Sequence, residues 1–158
     1  MMPFIALGIG VALAALDQLF KFLIVSNFEL GQTRQFIPGI LNLTYVRNEG
    51  VAFGMFAGMQ WVFIVLTTVM LAAIIFYMFK KRPESRFFYI IVGMIIGGGV
   101  GNLIDRILNS YVVDYLSLTF FPPVCNFADY VIVVGVILLA VWFLFFSDKA
   151  EKKEKGSE

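Results

Sequence analysis

Four long apolar runs dominate the chain, and most charged residues lie in the segments between them or at the C-terminal end. The runs cover residues 4–25, 61–79, 87–104 and 127–146. A helix that crosses a lipid bilayer needs about 20 mainly apolar residues, and each run is close to that length. The pattern therefore predicts an all-α membrane protein, a bundle of four transmembrane helices within one domain over residues 1–146.

Residues 26–60 and 107–126 show a different pattern. Within them, residues 41–46 and 115–120 alternate between apolar and polar side chains, which is typical of half-buried strands. Gly50 and Gly54 indicate turns nearby. We therefore predict a small β platform on one face of the membrane. The charged tail over residues 147–158 is predicted to be a solvated cytoplasmic extension.

The basic residues predict how the chain is oriented. The loop over residues 80–86 and the tail after residue 146 together hold eight of the twelve lysines and arginines. Cytoplasmic loops are enriched in these residues, so both termini are expected in the cytoplasm and the β platform outside. The first run lacks a preceding basic segment and contains Asp17 and Lys21, so we interpret it as a retained helix rather than a cleaved signal peptide. Trp61 and Trp142 are predicted to be interfacial anchors.

Composition narrows the chemistry that the chain can perform. Hydrophobic residues make up 60% of the chain and its mean hydropathy is +0.88, which favours lipid as the surrounding medium. The chain has no histidine and one cysteine, so Ser-His-Asp sites, histidine-ligated metals and intrachain disulfides are excluded. The net charge of +1 gives no basic excess for a nucleic-acid partner. We expect no cofactor and no bound metal.

Four of the five aspartates are predicted to lie at one depth, near the outer end of the helices. They are Asp17, Asp105, Asp114 and Asp129. Ionisable groups inside a membrane are costly and commonly functional. Asp17 can pair with Lys21, four residues along the same helix. We also expect Asp105 to pair with the adjacent Arg106, which would make both of these aspartates largely architectural.

Asp114 and Asp129 have no basic neighbour in the sequence, and the Pro122-Pro123 turn between them can bring them together. Two carboxylates at close range cannot both ionise, so they share one proton. The charged partner can then take a proton from water, while the protonated partner hydrogen-bonds the scissile carbonyl. The two residues therefore predict an aspartyl protease site, which needs neither metal nor histidine nor cysteine.

Five short motifs occur in order between Asp17 and Asp129. They are Asp17-Gln18-Leu19-Phe20-Lys21, Arg47-Asn48-Glu49-Gly50-Val51-Ala52-Phe53-Gly54, Gly101-Asn102-Leu103-Ile104-Asp105-Arg106, Val112-Val113-Asp114-Tyr115 and Asn126-Phe127-Ala128-Asp129. Each motif is weak alone, but the ordered set on a four-span chain resembles the lipoprotein signal peptidases (signal peptidase II). Phe20, Val51 and Tyr130 depart from the residues usual in that family, which bears on substrate preference rather than on activity.

The resemblance implies a bacterial aspartyl endopeptidase, a multi-pass protein of the plasma (inner) membrane with its active site at the extracytoplasmic face. It implies that the substrates are prolipoproteins whose lipobox cysteine carries diacylglycerol. Cleavage is then expected immediately before that cysteine. The resemblance also implies membrane lipids as partners and inhibition by globomycin-type cyclic peptides bound in the same pocket. A monomer suffices for this chemistry.

The resemblance assigns roles to particular residues. The catalytic pair is matched by Asp114 and Asp129. Positions that line the substrate pocket are matched by Asn48, Gly50, Asn102, Arg106 and Asn126. Positions that support the site are matched by Asp17, Lys21 and Asp105. Apart from the resemblance, mobility of the outer loop over residues 48–58 is expected to gate the pocket, with Gly50 and Gly54 as hinges.

Other functions fit parts of the same pattern. A proton-coupled transporter would use the intramembrane aspartates as a relay, but they are predicted at one depth rather than along a path across the membrane. Several carboxylates can also bind a hard metal, which a chelator would reveal. A Ser-Lys peptidase would need Lys21 as its base, and Asp17 is expected to keep that lysine charged. A non-catalytic scaffold would tolerate Asp→Asn replacements.

Overall fold

The computed structural model describes residues 2–50 and 59–145, which form four helices and a four-stranded antiparallel sheet. In chain order the elements are α1 (Met2–Asn27), β1 (Thr33–Ile37), β2 (Leu41–Asn48), α2 (Gln60–Lys81), α3 (Arg86–Asn109), β3 (Val112–Leu118), β4 (Val124–Cys125) and α4 (Phe127–Phe145). All four helices are long and apolar enough to cross a membrane, which confirms the predicted fold class. Val51, Gly54, most of the expected gate and the charged tail lie outside the described residues.

The helices agree with the four apolar runs, except that α3 continues beyond residue 104 to Asn109. Asp105 and Arg106 therefore lie inside a helix rather than after it. Ser110 ends α3 in the left-handed conformation, with φ of 66°, and its backbone N–H donates to the carbonyl of Arg106. The chain then turns directly into β3, so the end of α3 and the start of β3 stay close together.

Glycines bring α1 and α3 into close contact. A Cβ atom added at Gly97 would lie 2.7 Å from the Cβ of Leu13, and one added at Gly93 would lie 2.8 Å from the Cβ of Ile9. On its other side α3 meets α4, where a Cβ at Gly98 would lie 2.6 Å from the carbonyl oxygen of Ala128. Small residues let transmembrane helices approach backbone to backbone. Helix α3 is therefore the centre of the bundle.

The end of the bundle away from the sheet is packed by aromatic side chains. Trp142 of α4 is buried there, with its ring 4.9 Å from that of Phe88. The prediction that Trp142 is an interfacial anchor is therefore wrong, because its ring packs inside the bundle. Trp61 of α2 is exposed, as an interfacial residue would be.

The sheet lies at the other end of the bundle, in the strand order β1-β2-β3-β4. Tyr45, Val113 and Tyr115 are buried there against Ile24 of α1. Strand β2 contains the predicted segment 41–46. Strand β3 covers only 115–118 of the predicted segment 115–120 and begins earlier, at Val112, whereas β1 and β4 were not predicted. The register of β2 against β3 shifts between Leu43 and Val46, and Val46 is the residue that pairs with Asp114. Such bulges commonly redirect a side chain beside a functional site.

Candidate active site

Asp129 is held at the start of α4 by a reciprocal pair of hydrogen bonds with Asn126. The backbone N–H of Asp129 donates to Asn126 Oδ1 at 3.0 Å, and the backbone N–H of Asn126 donates to Asp129 Oδ2 at 3.0 Å. This is the arrangement of a helix capping box, with Asn as the cap and Asp three residues later. The helix N-terminus also favours a negative charge at that place. Residues that are close in sequence thus orient the side chain of Asp129 at the start of α4.

Asp114 lies within β3, and its side chain extends to Asn126 and is almost completely buried. Its two carboxylate oxygens accept hydrogen bonds from Asn48 Nδ2 at 2.8 Å and Asn126 Nδ2 at 2.7 Å. Burial, followed by the charge of Asp129, raises the pKa of Asp114 from the ordinary 3.8 to about 7. Asn126 thus touches both aspartates, one through its side chain and the other through its backbone N–H.

Asn102 of α3 links this pair to the interior of the bundle. Its Nδ2 donates to Asp129 Oδ1 at 2.8 Å, while its Oδ1 accepts from Lys21 Nζ at 2.9 Å and from Asn126 Nδ2 at 3.1 Å. Because the oxygen is occupied by two donors, the amide nitrogen is directed at Asp129. By binding the amide oxygen of Asn102, Lys21 thus helps to place the amide nitrogen of Asn102 against the carboxylate of Asp129.

A buried ionic cluster lies below the pair, between α1 and α3. Lys21 Nζ is 2.8 Å from Asp17 Oδ2, as predicted, and 3.1 Å from Asp105 Oδ2. The prediction that Asp105 pairs with Arg106 is wrong, since Lys21 and Gln18 contact Asp105 instead, with Gln18 Nε2 at 2.9 Å. Adjacent residues on a helix do not face each other, which explains the difference.

The same cluster holds the two chain segments that carry the aspartates. Asp17 Oδ1 accepts from the backbone N–H of Ala128 at 3.1 Å, next to Asp129. Asp105 Oδ2 accepts from the backbone N–H of Val113 at 2.9 Å, next to Asp114. One buried lysine and its two carboxylates thus position both β3 and α4 relative to α1 and α3.

Gly50 and Arg106 lie at the edge of the site. The backbone N–H of Gly50 donates to Asn48 Oδ1 at 3.0 Å, which orients the Asn48 amide nitrogen toward Asp114. Arg106 donates to the carbonyl of Asn102 at 3.4 Å, and its guanidinium lies over the ring of Phe63 in α2, 5.6 Å from the ring centre. Within residues 2–50 and 59–145 no carboxylate lies within ion-pair distance of Arg106. Its charge is therefore available to a bound group.

The structure brings together all ten residues that the sequence singled out, and it adds two features that the sequence analysis did not use. Gln18 joins the ionic cluster by donating to the carbonyl of Gly101 at 3.0 Å as well as to Asp105. The Asn126-to-Asp129 capping box was readable from residue type and spacing. Among the described residues, the polar partners of Lys21 Nζ are Asp17, Asp105 and Asn102 and include no serine, which disfavours the Ser-Lys alternative.

Fold and site together define a multi-pass membrane protein. At one end of its helices it carries two neighbouring carboxylates that accept hydrogen bonds from asparagine side chains. Comparison with known proteins assigns that architecture to a family. The family model described as signal peptidase (SPase) II matches residues 9–145. The lipoprotein signal peptidase of Listeria monocytogenes serotype 4a (strain HCC23) is 40% identical over 147 residues, which cover 91% of this chain and 95% of that protein.

The lipoprotein signal peptidase of Enterococcus faecalis (strain ATCC 700802 / V583) is 38% identical over 149 residues, covering 94% of this chain and 92% of that protein. A solved bacterial membrane enzyme superposes with a TM-score of 0.83 and 32% identity, covering 94% of this chain and 92% of that one. The chain belongs to the signal peptidase II family and is a peptidase. The resemblance found in the five motifs is thereby confirmed.

Proposed function

We propose that this protein removes the signal peptide from diacylglyceryl-modified prolipoproteins, cutting immediately before the lipidated cysteine. The family supports prolipoproteins as substrates. The observation that carries the chemical part of the proposal is the pair Asp114 and Asp129, joined by Asn126 at the end of the helices that bears the sheet. The pair would work at the extracytoplasmic face of a bacterial plasma membrane, with both termini in the cytoplasm, as the positions of the basic residues favour.

The two aspartates have different surroundings, and this suggests different roles. Asp114 is the more deeply buried and has a pKa of about 7, so it holds the proton at pH values below about 7. Both aspartates accept two N–H groups, but only Asp129 lies at a helix N-terminus, which favours a negative charge there. We therefore assign the shared proton to Asp114 and the negative charge to Asp129 in the resting enzyme.

Hydrolysis then follows in two stages. Asp129 takes a proton from water as the water oxygen attacks the scissile carbonyl carbon, while Asp114 hydrogen-bonds the carbonyl oxygen and transfers its proton to it. The resulting tetrahedral intermediate breaks its C–N bond. The amine leaves with the proton from Asp129, and one hydroxyl of the intermediate returns its proton to Asp114, which restores the resting pair. The products are a signal peptide with a free carboxylate and a lipoprotein whose lipidated cysteine carries a new amino group.

Asn48, Asn102 and Asn126 act as positioning residues in this proposal, since their side-chain amide nitrogens already donate to the aspartates. Arg106 and Gly50 remain the candidates for direct contact with substrate. Arg106 has a guanidinium with unused N–H donors beside the pair, which suits a peptide carbonyl. Globomycin-type inhibitors would compete for the same groups.

An apolar groove gives the signal peptide a route to the pair from within the membrane. It has a volume of about 530 Å³, lies between α2, α3 and α4, and includes Leu71, Gly99 and Ile132 in its lining. Ile132 lies one helical turn from Asp129, and Gly99 lies one turn from Asn102. We assign this groove to the apolar helix of the signal peptide. Such a helix would deliver its C-terminal end, and hence the scissile bond, to the aspartates.

The test is cleavage of a diacylglyceryl-modified prolipoprotein by the full chain in detergent. Asp114→Asn and Asp129→Asn should each lower kcat/KM at least about a thousandfold, because each removes one member of a unit that works together. The matched control is Glu29→Gln, which neutralises an exposed carboxylate on the sheet side and should leave the rate unchanged. A chelator should have no effect.

Other outcomes would point to other functions. If both aspartate variants stay folded and still cut, the catalytic pair is wrong and Lys21, Asp17 and Asp105 become the candidates. If the unmodified protein leaves the lipidated substrate intact, the proposed reaction is wrong and a proton-coupled transporter is the alternative. Loss of activity on chelation would instead reveal a metal site. A monomer should be fully active if the site is complete within one chain.

A further inference from the structure

A second apolar groove lies under the sheet, away from the groove assigned to the signal peptide. It has a volume of about 620 Å³, within the range of about 300–1,000 Å³ that is typical of ligand sites. Its walls come from the second half of α1, from the sheet and from the start of α4. Nine of its eleven lining residues are aliphatic or aromatic, among them Leu23, Phe36 and Phe127. The lining therefore suits a hydrocarbon chain.

Arg34 and Asn27 are the two exceptions in that lining. The guanidinium of Arg34 lies over the ring of Phe28, 4.6 Å from its centre, and its Nη2 donates to the carbonyl of Asn27 at 3.0 Å. A guanidinium has five N–H donors, so the others remain available. In the part of the chain that the structure describes, no carboxylate lies within 4 Å of Arg34. A positive charge without a counter-ion therefore stands beside an apolar groove.

The position of Arg34 in the fold matches that of a lipid headgroup. Asn27 is the last residue of α1, and Arg34 lies on β1, just beyond the end of that membrane-spanning helix. The groove extends from there along α1 past Leu23 to Phe20, which lies within the spanning segment. An amphiphile in the groove would thus have its acyl chain at membrane depth and its headgroup at the level of Arg34.

We propose that this groove binds an anionic glycerophospholipid from the leaflet on the sheet side, with an acyl chain against Leu23 and Phe20 and the phosphate on Arg34. The uncompensated charge of Arg34 favours a headgroup that is net negative over a zwitterionic one. The same charge disfavours the diacylglyceryl group of a substrate, which has no phosphate. The proposal requires only that the chain spans a membrane, so it stands apart from the reaction proposed above.

The groove also borders the candidate active site. The ring of Phe127 lines it and packs edge-on against Phe20, with ring centres 5.4 Å apart. Phe127 is the first residue of α4 and directly precedes Ala128, whose N–H is held by Asp17. A bound lipid would therefore pack against the turn of α4 that carries Asp129.

Native mass spectrometry of the full chain tests the proposal. The protein is purified in detergent and supplied with equal amounts of dioleoyl phosphatidylglycerol and dioleoyl phosphatidylcholine. The first bound lipid should be phosphatidylglycerol with about a fivefold preference, the enrichment that one basic residue gives at an anionic lipid surface. Arg34→Gln should remove the preference. Arg86→Gln, the same change at an exposed residue at the opposite end of the bundle, should retain it.

Two further measurements keep the test decisive. Leu23→Trp fills the groove from an exposed position on α1 and should lower retention of both lipids without unfolding the protein. Equal retention of the two lipids, or an Arg34→Gln variant that behaves like the original protein, would overturn the proposal. So would displacement of phosphatidylglycerol by a neutral S-diacylglyceryl cysteine at equal concentration, which would assign the groove to the lipid of the substrate instead.

Discussion

Helices α2 and α3 have similar lengths, 22 and 24 residues, but they differ greatly in how much of each is buried. Twelve residues of α3 are buried, whereas α2 buries only Leu71 and Met78. Nevertheless α2 has the higher mean hydropathy of the two. In this bundle a high hydropathy thus marks a helix that faces lipid, while glycines and polar side chains mark the helix that contacts protein.

The difference has a chemical counterpart. Helix α3 supplies Asn102 and Asp105 and packs against α1 and α4, so it carries the polar network of the site. Helix α2 contributes the ring of Phe63 beneath Arg106 and one wall of the groove assigned to the signal peptide. We therefore call α1, α3 and α4, which pack closely, the rigid part of the molecule, and treat α2 as its loosely packed, lipid-facing helix.

The largest effect on the difference between α2 and the rigid part is expected from removing the positive charge of Lys21, which lies between α1 and α3. Lys21→Met leaves Asp17 and Asp105 buried without their cation and should lower the free energy of unfolding by about 3–5 kcal/mol. It also frees the amide of Asn102, so cleavage should fall even where the protein remains folded. Thermal unfolding in detergent and cleavage rates measure the two effects.

Two variants control for this prediction. Lys80→Met removes an exposed lysine at the end of α2 and should leave both stability and cleavage unchanged. Asp17→Asn combined with Lys21→Met removes opposite charges together and should be more stable than Lys21→Met alone. If Lys21→Met unfolds at the same temperature as the original protein, the ionic cluster does not hold the bundle together.

A smaller effect is expected from the glycines that join α1 to α3. Gly97→Ala places a Cβ against Leu13 and the carbonyl of Gly10, and should lower stability by about 1–3 kcal/mol. Gly8→Ala is the matched change on α1, where nothing lies within 4 Å of the added Cβ. It should raise stability by up to about 1 kcal/mol through helix propensity. Equal effects of the two changes on unfolding temperature would contradict close packing at Gly97.

The pH dependence should identify Asp114 of β3, which is held against α4 by Asn126, as the titrating group. The folded-state pKa of Asp114 is about 7, raised from 3.8, so its contribution to stability is full below about pH 4 and is lost as pH rises through 7. Cleavage should fall about tenfold per pH unit above 7, because the proton on Asp114 is then absent. Unfolding temperatures from pH 4 to 8 should lose this slope in Asp114→Asn. An identical slope in that variant would assign the titration to another group.

The smallest difference is expected for matched valines. Val92→Ala on α3 removes methyl groups from a fully buried side chain and should cost about 1 kcal/mol. Val69→Ala on α2 alters a side chain that is 59% exposed and should change stability by less than about 0.5 kcal/mol. Unfolding temperatures of the two variants compare the helices directly. A larger loss for Val69→Ala would mean that α2 packs more tightly than its few buried residues indicate.

The fold could largely be predicted from the sequence, because hydropathy locates spans without any knowledge of their packing. The two strands that were missed carry little signal. All five residues of β1 are exposed, so none of them is selected for burial, and β4 has only two residues. Trp142 was misjudged for a related reason, since the sequence does not tell which apolar side chains face lipid and which face another helix.

The candidate site could be predicted as a set of residues but not as a set of contacts. Asp17 and Lys21 are neighbours on one helix, so their pairing followed from spacing alone. The partner of Asp105 could not be found in this way, because it depends on how closely α1 and α3 approach. That approach depends in turn on Gly101, where any Cβ would collide with the side chain of Asp17.

The amide bridge between Lys21 and the aspartates has a consequence for the membrane as an electrical barrier. Asn102 passes hydrogen bonds from the ammonium to Asp129, but an amide does not readily hand on a proton as a carboxyl or a water does. Beyond the cluster, residues 4–16, 90–101 and 131–145 contain no ionisable side chain. Between the cluster and the far end of the bundle, α1, α3 and α4 therefore offer no row of ionisable side chains along which a proton could cross.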